Sequence, residues 1–339
     1  MRLAAWLGSL LKRIQAGRTG RTRPYRERFF PDIRVTRLEP RCVLNAGPVP
    51  VTPPVAPLAP PTHTVHTTLA TDPNVLVVAA PDTIAHSSQA AKAPDIVKIV
   101  RDGKNIDVFF NGSLQESAPY SRISAIDVIA SGGPETLLVD FSGGSPLPSG
   151  GLIFVGGAAT SGDSLIIEGG SAQSVNFTLA AGGDGTVAID GATISYSGVP
   201  NVVDRLNAVT TDIALVDGGR NDTLANAPQP GLLVFGASDG TQVTFADPTG
   251  ALVIDTQVAS NAAADTLQLG NLDLRSSGQV SVLARSADTV IVTGGVEVGH
   301  GSLLISAGVE TLSGTIEGSA AAVDLRATAS ISVSAGGVI

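Results

Sequence analysis

Two glycine-rich turns carry the carboxylates best suited to chemistry. Gly218-Gly219-Arg220-Asn221-Asp222-Thr223-Leu224 and Gly156-Gly157-Ala158-Ala159-Thr160-Ser161-Gly162-Asp163-Ser164-Leu165 each lead an aspartate into a short apolar run. Such turns hold a hard cation when aspartate oxygens and turn carbonyls converge, as in tandem Gly-Gly-x-Gly-x-Asp nonapeptides. The first segment lacks the later glycine and puts Arg220 beside its aspartate, the second has extra residues, and neither repeats in tandem. Asp163 and Asp222 are therefore candidate calcium ligands, with plain turn residues as the competing reading. His63 and His66 are three apart in a segment where ordering a metal site costs chain entropy. Cys42 is the single cysteine, which excludes a disulfide framework or a cysteine-based zinc site within one chain. No Gly-x-Ser-x-Gly elbow is present, and no histidine lies near Cys42 in sequence.

The incomplete nonapeptides resemble those of RTX-type β-rolls, which would imply bound calcium. Gly299-His300-Gly301 resembles the glycine-flanked histidine of polygalacturonase-type glycosidases. Those enzymes need paired carboxylates around the scissile bond, and the family supplies them with an Asp-Asp pair and an Arg-x-Lys segment. This chain has no Asp-Asp, no Arg-x-Lys after His300, and no aromatic residue after Phe245 on which a sugar could stack. His300 is better read as a turn residue between two strands.

The elements that would position these residues follow from composition. Aromatics are 4%, charged residues 15% and apolar residues 43%, with 39 glycines among 339 residues. An interior of Val, Ile, Leu and Ala favours stacked thin strands, and the composition is the reverse of a disordered chain's. Asp102-Gly103 between Ile96-Val97-Lys98-Ile99-Val100 and Asn105-Ile106-Asp107-Val108-Phe109 predicts a hairpin. Further on, Asp265-Thr266-Leu267, Asp288-Thr289-Val290 and Glu310-Thr311-Leu312 recur at spacings of 23 and 22. Strand-like fragments such as Leu272-Asp273-Leu274, Val280-Ser281-Val282, Val296-Glu297-Val298, Leu303-Leu304-Ile305 and Val323-Asp324-Leu325 lie among them. About three short strands per 22 residues fit one coil of a parallel β-helix, with Leu267, Val290 and Leu312 in one interior column. Residues 272–284 and 323–335 also agree at six of thirteen positions, at an offset of 51 that fits two coils plus one strand.

Charge and composition divide the chain. Residues 1–46 carry a balance of +8 and the remainder −17, so the acidic body repels phosphate and argues against a nucleic-acid partner. The expected organisation is a basic export segment over 1–46 and a Pro/Thr/Ala-rich linker over 47–95. A Gly-rich β-repeat region over 96–251 and β-solenoid repeats over 252–339 follow. Seven prolines between positions 47 and 61 make the start of the linker an extended spacer. No run approaches 18 apolar residues, so no transmembrane helix is expected. The last strand is followed by no polar capping unit, from which a longer or truncated protein is expected.

The head contains Arg37-Leu38-Glu39-Pro40-Arg41-Cys42-Val43-Leu44-Asn45-Ala46. It resembles the Leu-Glu-Pro-Arg-X-Leu-Leu segment near the start of very large repeat-rich bacterial surface proteins, abundant in planctomycetes, with Val43-Leu44 where two leucines are usual. That resemblance implies export and assigns Leu38, Glu39, Pro40, Arg41, Val43 and Leu44 to a targeting motif. The body resembles haemagglutinin-like adhesin repeats, notably at Phe141-Ser142-Gly143-Gly144 and Pro148-Ser149-Gly150-Gly151-Leu152. The expectation is an all-β, parallel β-helix or β-solenoid module, extracellular or at the cell surface and non-catalytic. Its role would be structural or adhesive toward a polysaccharide or another surface protein. The alternatives are a carbohydrate-active parallel β-helix enzyme (polysaccharide lyase or glycosidase) and a calcium-binding RTX-like module.

Overall fold

The computed structural model describes residues 66–69, 74–79, 94–130, 133–157, 162–258, 263–274, 278–299, 301–318 and 322–333. Alternation of apolar and polar residues drives nearly all of them into strands, because a period of two puts one row inside and one outside. The first strands are β1 (His66–Leu69), β2 (Val75–Ala79), β3 (Asp95–Asp102), β4 (Asn105–Phe110), β5 (Ser113–Pro119), β6 (Ala125–Ile129), β7 (Glu135–Asp140), β8 (Leu152–Val155) and β9 (Ser164–Glu168). Next are β10 (Ser171–Ala180), β11 (Asp184–Ile189), β12 (Ala192–Ser197), β13 (Asn201–Asp204), β14 (Asn207–Leu215), β15 (Asn221–Asn226), β16 (Leu232–Ala237), β17 (Gln242–Ala246) and β18 (Ala251–Asp255). Last come β19 (Thr266–Leu269), β20 (Leu272–Leu274), β21 (Gln279–Leu283), β22 (Thr289–Val292), β23 (Gly295–Val298), β24 (Ser302–Leu312), β25 (Thr315–Gly318) and β26 (Ala322–Val333).

The pairings resolve into two long ladders. One runs β1-β2-β6-β8-β12-β11-β10-β14-β18-β21-β24-β26. The other runs β5-β4-β3-β7-β9-β13-β17-β16-β15-β19-β22-β24-β26. A third, short sheet stacks β20, β23 and β25 in parallel. Strands β24 and β26 belong to both ladders because each is long enough to pass the corner between them. This is the expected β-solenoid, with three sides per coil from β18 onward.

The core is a set of inward columns. Ile99, Val139 and Ile167 are in register at 0% exposure, and Leu252, Val280 and Leu303 at 1% or less. Burying each such side chain contributes about 1.5–3 kcal/mol, and the column repeats that gain at every coil.

Several expectations need adjustment. Residues expected in the linker already form β1 and β2, because Leu76 and Val78 bury their side chains in the stack. Residue 251 marks no break, since β18 pairs with β14 before it and β21 after it. The hairpin lies one residue later than read: Asp102 pairs with Asn105, and Gly103 takes φ +57° while Lys104 stays at negative φ. That is the pattern of a II′ turn with glycine first. Asn111-Gly112 and Asp190-Gly191, both at positive φ, make the two-residue turns that link β4 to β5 and β11 to β12.

The solenoid also does not wind evenly. From β9 the chain advances past two rungs to β10, and β11 and β12 fill them by running back as a meander. Strands β15, β16 and β17 repeat the device in the other ladder. Coil length also varies after the meanders, where the coil positions Leu252, Val280, Leu303 and Val323 are separated by 28, 23 and 20 residues. The offset of 51 matches Leu272 in β20 to Val323 in β26, which sit on different sides of the coil.

A glycine column lets coils close at one corner. A Cβ on Gly301 would lie 1.9 Å from the Gly278 carbonyl oxygen, and one on Gly278 would lie 2.9 Å from that of Gly250. The Gly278 carbonyl accepts from the Ser302 amide at 3.2 Å, so separation would break the ladder bond. Gly301→Ala is expected to lower stability by about 1–3 kcal/mol, the usual cost of overpacking. Denaturant unfolding checks this, and an unchanged midpoint would refute the close approach of the two coils.

Candidate functional site

The chemistry-bearing carboxylates line the corners and interior of the stack. Asp163, 1% exposed, stands just before β9. Its Oδ1 accepts the Glu135 amide at 2.9 Å and its Oδ2 the Gly157 amide at 2.7 Å. Asp222 is 2% exposed in β15, where both its oxygens lie 3.3 Å from Nε of the buried Arg220. Burial pushes its carboxyl up to about 6, against the pull of Arg220. Strands β13, β17 and β16 separate β9 from β15, so the two expected calcium ligands do not share a site. Their oxygens face N–H donors where a cation would need bare lone pairs. Among the described residues no three His, Cys, Asp or Glu side chains gather in a metal-binding group.

Asp265 and Asp288, the repeat markers, build a clamp at one corner. Asp288 Oδ1 accepts the Asp265 amide at 2.9 Å, tying one coil to the next. Its Oδ2 accepts Thr256 Oγ1 at 2.6 Å, the Arg285 amide at 2.9 Å and Arg285 Nε at 3.1 Å. Arg285 Nη2 bridges Asp265 Oδ2 at 2.8 Å and Asp288 Oδ1 at 3.1 Å. Asp265 Oδ1 in turn accepts the Arg220 amide at 2.9 Å. Despite burial, the Asp265 amide, Thr256 and Arg285 hold the Asp288 carboxyl below its usual range. The sequence signal for this clamp is Arg285, three positions before Asp288; Asp265 has no arginine just before it and meets Arg285 and the Arg220 amide from other coils.

Glu310, the third marker, is not at a corner. Val290 pairs with Glu310 and Val292 with Leu312, so the last spacing is 20 and Gly308 takes the place beside Asp288. Glu310 therefore points inward, at 4% exposure, beneath Leu267 and Val290. A two-residue slip preserves alternation, which keeps Leu312 inside at 2% exposure.

The outer surface carries a cleft of about 490 Å³ lined by Asn226, Gln229, Leu232, Asp247 and Asp273, among others. Its volume is in the range of ligand sites. Pro228 and Pro230 stiffen one rim around Gln229, whose carbonyl accepts the Leu232 amide at 3.3 Å. Asn226 Oδ1 accepts the Asp273 amide at 2.8 Å and so anchors β20 to the end of β15. Amides and carboxylates beside leucine and proline carbons suit a hydroxyl-rich ligand with an apolar ring face. Sequence reading missed this site because its residues are 47 positions apart, from Asn226 to Asp273.

The targeting residues Leu38, Glu39, Pro40, Arg41, Val43 and Leu44 lie outside the described residues, as do Cys42, His63 and His300. Gly301, beside His300, has its structural reason in the corner column described above. No protein family, curated protein or solved structure matches the chain.

Proposed function

We propose that this chain is an exported structural or adhesive β-solenoid module of a bacterial cell surface. The observation that carries the reading is where the reactive side chains go. Asp163, Asp222, Asp265 and Asp288 are at most 2% exposed. Asp163, Asp265 and Asp288 are occupied in tying coil to coil and Asp222 in holding Arg220 two residues before it, while the outward rows and the Asn226–Asp273 cleft remain for contact. A rigid stack of this kind suits a stalk or a contact surface. The cleft favours a polysaccharide as the contacting ligand, with a second surface protein as the other candidate. Among the described residues no helix is long and apolar enough to cross a membrane.

The test is antibody labelling of intact source cells. Signal on unbroken cells is expected, and replacing Leu38, Glu39, Pro40 and Arg41 together by alanine should abolish it. Signal seen only after lysis, with the same intensity for both chains, would overturn the reading.

A further inference from the structure

Glu310 stands in the apolar lumen with no hydrogen-bonding partner for either carboxylate oxygen. Val290 lies above it and Ile331 below it in the ladder. Val292, Ile305, Leu312, Ile316 and Leu325 share with it a cavity of about 10 Å³. That space admits about one water, far short of the hydration an ionised carboxylate needs. Parting of β26 from β24 would bring the carboxylate to solvent.

We propose that Glu310 makes the pairing of β24 with β26 acid-dependent: neutral Glu310 stays in the lumen with β24 and β26 closed on it, and ionised Glu310 opens that pairing. The charged groups around it do not supply a counter-ion. On β22 the nearest is Asp288 at the preceding corner, already held by Arg285. On β25 Glu317 is exposed while Ile316 faces inward. On β26 Asp324 and Arg326 pair with each other at the exposed surface. Burial raises the Glu310 carboxyl above its usual range, the Arg326 backbone opposes this in part without a well-formed hydrogen bond, and Asp324 reinforces it. A raised value means that the stabilisation is complete below about pH 4 and is lost as pH rises through the folded-state value.

Hydrogen exchange on the full chain at pH 5 and pH 8 tests this, read as protection factors for 309–312 and 330–333 relative to 137–139 in β7. The relative protection is expected to be higher at pH 5 than at pH 8, because neutral Glu310 favours the closed pairing and ionised Glu310 the open one. Glu310→Gln, which keeps shape without charge, should remove the difference, and Glu310→Leu should give high protection at both values. Asp324→Asn should leave the difference in place. A pH-independent wild type would overturn the proposal. So would a difference that survives in both the Gln and Leu variants, or one that disappears with Asp324→Asn.

Discussion

Replacing Val290 with Asp is expected to lower stability by about 3–5 kcal/mol, the cost of an uncompensated buried charge, whereas Thr289→Asp should cost under about 1 kcal/mol. Val290 is 1% exposed and stacked between Leu267 and Glu310. A carboxylate at 290 would meet apolar walls on one side and a second buried carboxyl on the other. Thr289 points outward, with Thr266 and Val309 as its neighbours in the ladder, so a charge there remains hydrated. Denaturant midpoints of the two full-length variants measure the difference. Equal losses, or a larger loss from Thr289→Asp, would show that the inside and outside of β22 are wrongly assigned.

The chain is also expected to be more stable near pH 5 than near pH 8, chiefly through Asp204. That residue closes β13 in the inward column between Ile167 and Phe245, at 1% exposure. Burial raises its carboxyl to about 7, while the Leu206 amide, donating to Oδ1 at 2.9 Å, opposes the rise. Because the folded value exceeds the unfolded one, this stabilisation is fully present below about pH 4 and is lost as pH rises through about 7. The rise to about 7 is worth about 4 kcal/mol at most. Asp222, raised to about 6, acts in the same direction.

Asp140 and Asp288 act in the opposite sense. Each is buried, yet Lys98 and Ser142 hold the first low, and the Asp265 amide, Thr256 and Arg285 hold the second low. Their contribution is present above about pH 4 and lost below it, so an acid limb is expected there. Asp204→Asn keeps an acceptor for Leu206 without the charge. It should be more stable than the wild type at pH 8 by up to about 4 kcal/mol and nearly equal to it at pH 4. Unfolding curves at both pH values decide the point, and a wild type that gains stability toward pH 8 would refute the assignment.

Local pattern was enough for much of this. The alternation in Leu252-Val253-Ile254, Val280-Ser281-Val282 and Leu303-Leu304-Ile305 determined which side chains face inward, because strand geometry admits only two faces. The spacing of Asp265 and Asp288 revealed one coil because each of these corner aspartates accepts a backbone amide from the corner before it. Low aromatic content and many glycines pointed to thin stacked strands for the same local reasons.

What the sequence could not carry is height along the stack. Glu310 matches Asp288 in charge and in the Thr and apolar residue that follow, yet a 20-residue coil puts it inside and leaves the corner to Gly308. A Cβ there would lie 2.1 Å from the Ser286 carbonyl oxygen, a constraint that exists only once two coils are in contact. The meanders of β10–β12 and β15–β17 are likewise invisible to residue counting, since they run backward along the axis. Asp163 and Asp222 read alike as loop aspartates, and only the folded neighbours gave one to backbone amides and the other to Arg220. The cleft joining Asn226 to Asp273 arose in the same way. Sequence determines which face a residue takes, because that is local geometry; which residues meet depends on coil length and register, which the packed stack alone decides.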